Sequence, residues 1–253
     1  MSINETRLRG KRSRLQNSWP LGSLPRKVIV ALGRQLVHRM AIGHGDITGD
    51  DFGTIFAEAI EGDHLSSPLG VADVVLDNNA WSVKTIKLKS PFTEKRIRLI
   101  SGRNSVDYSH GIENPHMDIQ ATGKAILSIW NARVNEALGE YDDLRIAVLV
   151  RNFDTRQFII FEETATRYAS DDFVWKKGET KNKKEKHQNL HGYSKATGEH
   201  YFTWQFHGAQ FTIKRNIPGS AIKFIINHNV PIIDVDRILR LSRFDESWVE
   251  IIV

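Results

Sequence analysis

Residues 146–150, Ile-Ala-Val-Leu-Val, form a continuous apolar run in the middle of the chain. Such a run predicts a strand that is buried on both faces, because a strand with one face in water alternates apolar and polar residues. A second apolar run at 158–161 predicts another strand, joined to the first by a short turn. A sheet covered on both faces needs helices on either side, so we expect an α/β fold with a central mixed sheet flanked by helices.

The preceding half of the chain supplies those helices and further strands. Apolar residues at helical spacing predict helices over residues 24–42, about 50–61 and about 116–138. Thr48 or Asp50 would cap the second helix, and Gly139 would end the third. β-rich runs predict strands over residues 71–76, 81–88 and 96–100, and Asp77-Asn78-Asn79 supplies a tight turn between the first two. The predicted order is helix, three strands, helix, and one or two strands.

The chain changes character after residue 165. Residues 170–200 are polar and Lys-rich, which predicts a long loop. Residues 200–215 alternate again and predict a hairpin that turns near Gly208. The remaining predicted elements are short strands at 221–226 and 249–253 and a helix at 234–242. We expect residues 1–165 to hold the N-terminal helices and the core, and residues 166–253 to form a β-rich extension packed on the same domain.

The composition excludes several classes of protein. The 253 residues include no cysteine, which excludes disulfides and thiolate metal sites and fits a reducing cytoplasm. No apolar run approaches the length of a membrane span, and the polar N-terminus lacks the apolar stretch of a secretory signal. We therefore expect a cytoplasmic protein.

Basic residues exceed acidic ones by 35 to 30, and many of them lie in two clusters. The first cluster is Arg7, Arg9, Lys11, Arg12 and Arg14, and the second is Lys176, Lys177, Lys181, Lys183, Lys184 and Lys186. Such clusters suit a polyanionic partner, although the second also fits a solvated loop.

Asp73 and Lys84 fall on the two strands of the predicted hairpin. Because side chains alternate across a strand, Ser82 and Lys84 share a face, and the register allows Asp73 to reach it. The carboxylate can bind a hard cation such as Mg2+, and Lys84 can position a water or stabilise charge on a phosphate. This is the minimum equipment for metal-assisted phosphodiester hydrolysis. Taken singly, Asp73 also fits a strand-end residue and Lys84 a surface lysine.

A further acid would help to hold the cation. Glu58 and Glu61 both lie on the preceding helix. Glu58 is the better candidate because it sits mid-helix in an apolar stretch, where a charge needs a reason. Glu61, at the helix end, fits a solvated residue.

The segment Gly-Val-Ala-Asp-Val-Val-Leu-Asp-Asn-Asn-Ala-Trp-Ser-Val-Lys, which runs from Gly70 to Lys84, resembles the catalytic hairpin of the PD-(D/E)XK nuclease superfamily. The order of predicted elements over roughly residues 50–163 also resembles that superfamily's restriction-endonuclease-like core. Two departures are visible. Ala72 stands where the motif often has Pro, and Ser82 stands where it usually has Glu or Asp, which removes one charged metal ligand and shifts the burden to Glu58.

The resemblance implies a type II restriction endonuclease that makes Mg2+-dependent, sequence-specific double-strand cuts in DNA. Asp73 and Glu58 would bind the metal, Lys84 would orient water and stabilise charge, and Ser82 would line the site. It also implies a homodimer, a cognate DNA methyltransferase and a bacterial or archaeal cell. The alternatives are a structure-specific repair or recombination nuclease, a non-catalytic DNA-binding protein, and an unrelated basic protein that binds RNA.

Residues for DNA contact come from three regions. The stretch Arg-Leu-Ile-Ser-Gly-Arg-Asn-Ser is similar to a segment of bacterial restriction-endonuclease-type proteins, in which Gly102 would allow a close backbone approach and Arg103, next to Asn104, would grip a phosphate. Lysines would contact the backbone and polar residues of the late hairpin would read base edges. These residues are Lys176, Lys177, Lys183, Lys184, Gln205, Gln210, Lys214 and Arg215. The histidines match no zinc spacing and are interpreted as scattered surface or loop residues.

Overall fold

A computed structural model of the chain describes residues 19–65, 71–178, 188–243 and 245. Several predicted features lie outside these ranges. They are the N-terminal basic cluster, the strand at 249–253, and Lys181, Lys183, Lys184 and Lys186 of the second basic cluster. The described part is a mixed α/β fold with a mixed sheet flanked by helices, as the apolar runs predict.

The described helices are α1 (Arg26–Ala41), α2 (Gly49–Ile60), α3 (Val106–His110), α4 (Ile119–Glu140) and α5 (Val235–Ser242). Thr48 caps α2 in a reciprocal capping box with Asp51. Of the two predicted caps, Thr48 is therefore confirmed and Asp50 is not. Gly139 does not end α4, because the chain leaves the helix only at Tyr141, which has an extended backbone. None of the described helices is long and apolar enough to cross a membrane.

The described strands form two sheets. In chain order they are β1 (Asp63–His64), β2 (Val74–Leu76), β3 (Asn79–Lys87), β4 (Arg96–Arg103), β5 (Asp143–Asn152), β6 (Gln157–Thr164), β7 (Phe173–Lys177), β8 (Leu190–Ser194), β9 (His200–Gln205), β10 (Gln210–Asn216) and β11 (Ile222–Ile225). The first sheet has the order β1-β2-β3-β5-β6-β11, and the second has the order β4-β10-β9-β8-β7.

β3 and β5 pair in parallel from Asn79↔Asp143 to Lys87↔Arg151, whereas every other described strand pair is antiparallel. β5 is buried from Leu144 to Asn152, which confirms the strand predicted from its apolar run. Its side chains alternate between two cores. Ile146, Val148 and Val150 pack with α4 and the second sheet, and Ala147 and Leu149 pack under α1 and α2.

The third predicted strand does not join the first sheet. β4 pairs with β10, so a strand from the first half of the chain becomes the edge of a sheet built otherwise from residues beyond 165. Ile97 and Leu99 of β4 are buried in the core shared with α4, and Arg98 between them is exposed. Conversely, β11 comes from the last part of the chain but belongs to the first sheet, where it pairs with β6 at the edge.

The described parts of the segment 170–200 contain strands where its composition predicts a loop. It contributes β7 and β8, with residues 179–187 between them outside the described ranges. Trp175 and Leu190 are buried in the common core. Burial of these two apolar side chains stabilises the strands although lysines surround them in the sequence. The predicted hairpin over 200–215 is confirmed as β9 and β10, with Gly208 at positive φ in the turn.

A buried ionic cluster lies under α1 and α2. The Glu162 carboxylate accepts hydrogen bonds from Trp19 Nε1 at 2.8 Å and Trp81 Nε1 at 2.6 Å, and Arg145 lies 3.5 Å away. Arg145 also bonds to Asp143 at 2.7 Å and to the Trp19 carbonyl at 2.9 Å. The charges are thus partnered, as buried charges must be. The cluster fixes which face of β3 carries Trp81.

We expect Glu162→Gln to lower the free energy of unfolding by about 3 kcal/mol, because it removes one of the two charges that balance the buried Arg145 and sets an amide N–H against a tryptophan N–H. Urea unfolding followed by tryptophan fluorescence measures this change. The matched control is Glu113→Gln, an exposed glutamate that we expect to change stability by less than about 0.5 kcal/mol. An equal, small effect of both substitutions would show that the cluster does not stabilise the fold.

Candidate functional site

Asp73 lies immediately before β2, and its backbone N–H donates to the Trp81 carbonyl at 2.8 Å, which extends the hairpin by one residue. Its Oδ2 accepts hydrogen bonds from Ser82 Oγ at 3.2 Å, Val83 N at 2.8 Å and Lys84 Nζ at 3.1 Å. The predicted convergence of Asp73, Ser82 and Lys84 on one face of the hairpin is therefore confirmed. Their chemical roles stay predictions.

The Lys84 ammonium is held in place by three acceptors. Besides Asp73 it donates to Ser82 Oγ at 2.8 Å and to the Val83 carbonyl at 2.9 Å. Ser82 is 1% exposed and bridges the two charged groups, so it supports the site rather than meeting a substrate. Asp73 and Lys84 keep 26% and 22% of their side chains exposed. In the described part of the chain, Asp73 Oδ1 has no hydrogen bond and is free to bind a ligand.

Asp73 and Lys84 open onto a cleft of about 440 Å³ between the two sheets and the start of α2. Its walls come from α2, β1, the hairpin, β4 and β5, and the lining residues are Gly49, Asp50, His64, Leu65, Asp73, Val83, Lys84, Thr85, Ile100 and Arg151. A polar cleft with one acid and one ammonium at its floor can hold a phosphate group and a cation.

Glu58 does not reach this cleft. It is exposed and lines a different cavity together with His38 and Asp77, at the turn end of the hairpin. Asp73 lies at the opposite end of β2, next to the N-terminal end of α2 rather than its C-terminal end. The structure therefore corrects the expectation that Glu58 binds a metal beside Asp73. Glu61, the other predicted candidate, lines the same distant cavity.

The acid that α2 brings to the cleft is Asp50, in its first turn. Its side chain is 84% exposed, and Oδ1 lies 3.7 Å from His64 Nε2. Among the described residues, no group of three or more His, Asp and Glu side chains is placed to hold a metal ion. Sequence reasoning considered Asp50 only as a helix cap. The packing of the helix start brings it to the cleft that Asp73 also lines.

Arg151 forms a rigid wall of the cleft that sequence reasoning missed. It donates to Asp46 Oδ1 at 2.7 Å, Thr85 Oγ1 at 2.8 Å and the Ile47 carbonyl at 2.6 Å. Burial, the largest influence on Asp46, would raise its pKa, but together the hydrogen bonds from Arg151, Ile47 and Lys87 outweigh it and lower the pKa. Arg151 reaches the cleft because of the register between β3 and β5, and a single sequence does not reveal that register.

Two predicted DNA contacts have structural roles instead. Asn104 is fully buried, donates to the Ile126 carbonyl at 2.8 Å and accepts from Arg133 at 3.0 Å. Arg215 donates to Glu163 at 2.7 Å and lies over the ring of Tyr168. Both side chains are committed inside the molecule, which corrects the expectation that they contact DNA.

The other predicted contacts lie on the surface. Arg103 is exposed at the end of β4, beside a separate cavity lined by Trp204 and Phe206. Gly102 has positive φ and does permit a close approach, but the approaching group is Arg133. Gln205 and Gln210 face each other across the β9–β10 pair. Lys176 and Lys177 are exposed, and the Lys176 ammonium lies 5.4 Å from the centre of the Tyr193 ring.

Lys214 belongs to a cluster that sequence reasoning did not find. Its Nζ lies 2.7 Å from His200 Nδ1, and His200 Nε2 lies 2.7 Å from the Phe202 carbonyl. Because the ammonium can only donate and the carbonyl can only accept, His200 is neutral with its proton on Nε2. Burial, then Lys214 and His191, lower the pKa of His200 from 6.5 to about 4. His191, interpreted from the sequence as a scattered histidine, lies with its ring centre 4.3 Å from that of His200.

Comparisons with protein-family models, with curated proteins and with solved structures found no match for this chain.

The depressed pKa of His200 makes stability depend on pH in a defined direction. The unfolded chain, with His200 near 6.5, binds more protons than the folded chain, with His200 near 4, so the free energy of unfolding falls as the pH drops through that interval. Since the ring is only partly buried, we expect this one residue to account for about 1–2 kcal/mol. His200→Asn should flatten the dependence by that amount.

Urea unfolding at several pH values between about 4 and 6.5 provides the measurement. His228→Asn, which replaces an exposed histidine, is the matched control and should leave the slope of the wild type unchanged. A slope as steep in His200→Asn as in the wild type would contradict the assignment.

Proposed function

We propose that this chain is a Mg2+-dependent DNA endonuclease with a PD-(D/E)XK-like active site. The observation that carries the proposal is the shared Asp73 Oδ2, which holds Ser82 and Lys84 together at the floor of an open cleft. A carboxylate and an ammonium that are fixed side by side and still partly exposed suit the hydrolysis of a phosphodiester.

The arrangement of the first sheet supports a restriction-endonuclease-like core. β2 and β3 form the hairpin, β5 runs parallel to β3, and helices cover both faces of the sheet. On this proposal the core consists of α2, β2, β3, α4 and β5. The second sheet is then the β-rich extension, with β4 as the strand that joins it to the core.

The donor set fits Mg2+ in a site completed by water and substrate. This ion is commonly held by one or two carboxylates together with phosphate oxygens and keeps several waters. Asp73 would bind it through Oδ1, and Asp50 is the other acid of the cleft. When bound, Mg2+ would supply Lewis-acid stabilisation of the charge that develops on the phosphate. Ser82 adds no charge to this set, so the protein contributes fewer anionic ligands than the superfamily's usual motif.

Lys84 performs the chemistry that the chain itself supplies. All three of its N–H groups are engaged, so a substrate phosphate would replace one of the present acceptors, and the ammonium would then face the phosphate oxygens. There it stabilises the negative charge of the transition state and orients the attacking water. The water oxygen bonds to phosphorus and releases a proton to solvent, while the bond from phosphorus to the leaving sugar oxygen breaks and that oxygen takes up a proton from solvent.

The finer features of the proposal follow from the resemblance to type II restriction enzymes. They are cleavage at a fixed sequence, a homodimer that matches the two-fold symmetry of its site, and a cognate methyltransferase that protects the DNA of a bacterial or archaeal host. A nuclease that reads DNA structure would give no fixed set of plasmid fragments. A non-catalytic DNA-binding protein is the second candidate, and Ser82, at the place of an acid, is the observation that favours it.

We expect Lys84→Ala and Asp73→Asn each to lower the rate of plasmid cleavage in Mg2+ by about 100-fold or more, because each removes a charge that stabilises the transition state or binds the ion. Lys89→Ala, which removes an exposed lysine just beyond β3, is the matched control and should cleave at the wild-type rate. Gel electrophoresis of timed reactions gives the rates. Cleavage that persists in a chelator or in both variants would refute the mechanism, and a wild type that cuts no unmodified DNA would favour the second candidate.

The two acids of α2 can be separated by the same assay. We expect Asp50→Asn to lower cleavage about tenfold at limiting Mg2+ and less at saturating Mg2+, because Asp50 lies in the cleft near the ion. Glu58→Gln should leave the Mg2+ dependence unchanged, because Glu58 lines another cavity. The reverse result, with Glu58 required and Asp50 dispensable, would restore Glu58 as the metal ligand.

A further inference from the structure

Strand alternation divides the second sheet into two faces. Ile97 and Leu99 of β4, Phe211 and Ile213 of β10, and Leu190 of β8 point into the core. The intervening residues lie on the outer face. They include the basic side chains Arg96, Arg98, Lys176, His191 and Lys214. A register shift between β8 and β9 brings His200 to the same face, where its ring contacts Lys214 and His191. These six residues are here called the cationic face.

Cations lie directly opposite each other on this face. The register pairs Lys214 with Arg98, and like charges at such positions destabilise an antiparallel pair. Within the described ranges, neither residue has a carboxylate within 4.0 Å, although many other basic residues of the fold do. A repulsive pair without a neutralising acid indicates an anionic partner that is absent from the isolated chain.

Neutral His200 lies between Lys214 and His191 on the cationic face. By accepting a hydrogen bond from Lys214, it fixes that ammonium while adding no charge of its own. Burial, then Arg96 and Arg98, lower the pKa of Lys214, so the ammonium is short of stabilising contacts. Thr212, on the same face as Lys214, is 1% exposed, and its hydroxyl has no hydrogen-bond partner in the described residues. The Lys214 ammonium thus has one neutral acceptor and no carboxylate, and the Thr212 hydroxyl has no partner among the described residues.

The outer face leads into the cleft. Ile100 follows Arg98 on the same side of β4, and it lines the cleft with Asp73 and Lys84. The distance along the strand from Arg98 to Ile100 is about 7 Å, which a single nucleotide step can bridge. A polyanion lying on the face would thus extend to the candidate catalytic residues.

The aromatic rings on the face are already stacked on one another. His200 lies 4.3 Å from His191 and 4.9 Å from Tyr193 between ring centres, and Lys176 lies over Tyr193. The face can therefore bind phosphates through its charges, but its rings are not free for unpaired bases to stack on. This favours the backbone of duplex DNA over single strands.

We propose that the cationic face binds the phosphodiester backbone of duplex DNA and guides it into the Asp73–Lys84 cleft, with Arg98 and Lys214 as phosphate contacts and His200 as the residue that positions Lys214. This proposal rests on the proposed DNA-cleaving function. It adds Arg96, Arg98, His191 and His200 to the surface and separates Lys214 from its neighbour Arg215, which is paired with Glu163 on the other face of β10.

The test measures binding of a fluorescent duplex by anisotropy in a chelator, where cleavage is blocked. We expect Arg98→Gln/Lys214→Gln to bind about tenfold more weakly and to lower the slope of log K against log salt by about 2, one for each lost phosphate contact. The matched control is Lys27→Gln/Arg34→Gln, which removes two exposed charges from α1 on the far side of the first sheet. It should change both quantities little.

Stability separates a binding effect from misfolding. Because Arg98 and Lys214 repel each other, the double variant should unfold at a temperature no lower than the wild type. His200→Ala should weaken binding as Lys214→Gln does, whereas His200→Asn, which keeps an acceptor for Lys214, should restore it. Wild-type affinity and salt slope in the double variant would overturn the proposal, and tighter binding of a single strand of equal length would overturn the duplex assignment.

Failure of this proposal is distinguishable from failure of the proposed function. Lys84→Ala should cut the duplex at least about 100-fold more slowly, and adding Arg98→Gln/Lys214→Gln to it should still lower the salt slope by about 2. If the wild type binds through Arg98 and Lys214 and never cleaves, the cationic face stands and the nuclease function falls. If it cleaves and the double variant binds and cleaves normally, the function stands and the face is refuted.

Discussion

The parallel pairing of β3 with β5 is the constraint on which the rest of the structure depends. Parallel neighbours cannot be joined by a tight turn, so the chain between them must leave the sheet and return. Here the crossover holds β4 and α4. α4 covers one face of the first sheet, and β4 contacts β3 while pairing with β10. One connection therefore both closes the core and places the edge of the second sheet beside the residue that carries the candidate chemistry, Lys84.

The buried cluster around Glu162 acts on the same strand from the opposite face. Trp81 donates to that carboxylate, and since side chains alternate, Ser82 and Lys84 must then face the cleft. A slip of one residue in β3 would bury Lys84 and expose Trp81, and it would break the bond to Glu162. The core thus specifies the register, and the register places the ammonium beside Asp73.

Local patterns predicted what lies close in sequence. The helices, the hairpin and the meeting of Asp73 with Lys84 all follow from patterns within single segments of about two dozen residues or fewer. Contacts between distant segments did not follow. Asp50 rather than Glu58 reaches the cleft because of how α2 packs across the hairpin, and Arg151 and His200 depend on strand pairings that no short pattern encodes. Asn104 was predicted to contact DNA because its side chain is polar and follows Arg103. It is buried instead, because it bonds to the Ile126 carbonyl of α4 and to Arg133.

Ser82 links the two halves of the proposed function. With a serine where the resemblance predicts an acid, the floor of the cleft holds one carboxylate and one ammonium, which nearly cancel. Arg96, Arg98 and Lys214 add positive charge close by. Such a field attracts phosphate and disfavours a lone divalent cation. On the proposed function, the phosphate of bound DNA must therefore supply anionic ligands that the protein lacks, so that DNA and Mg2+ strengthen each other's binding. The positive charge of the cationic face and the missing acid at Ser82 are then related, because the face binds the DNA whose phosphate completes the metal site.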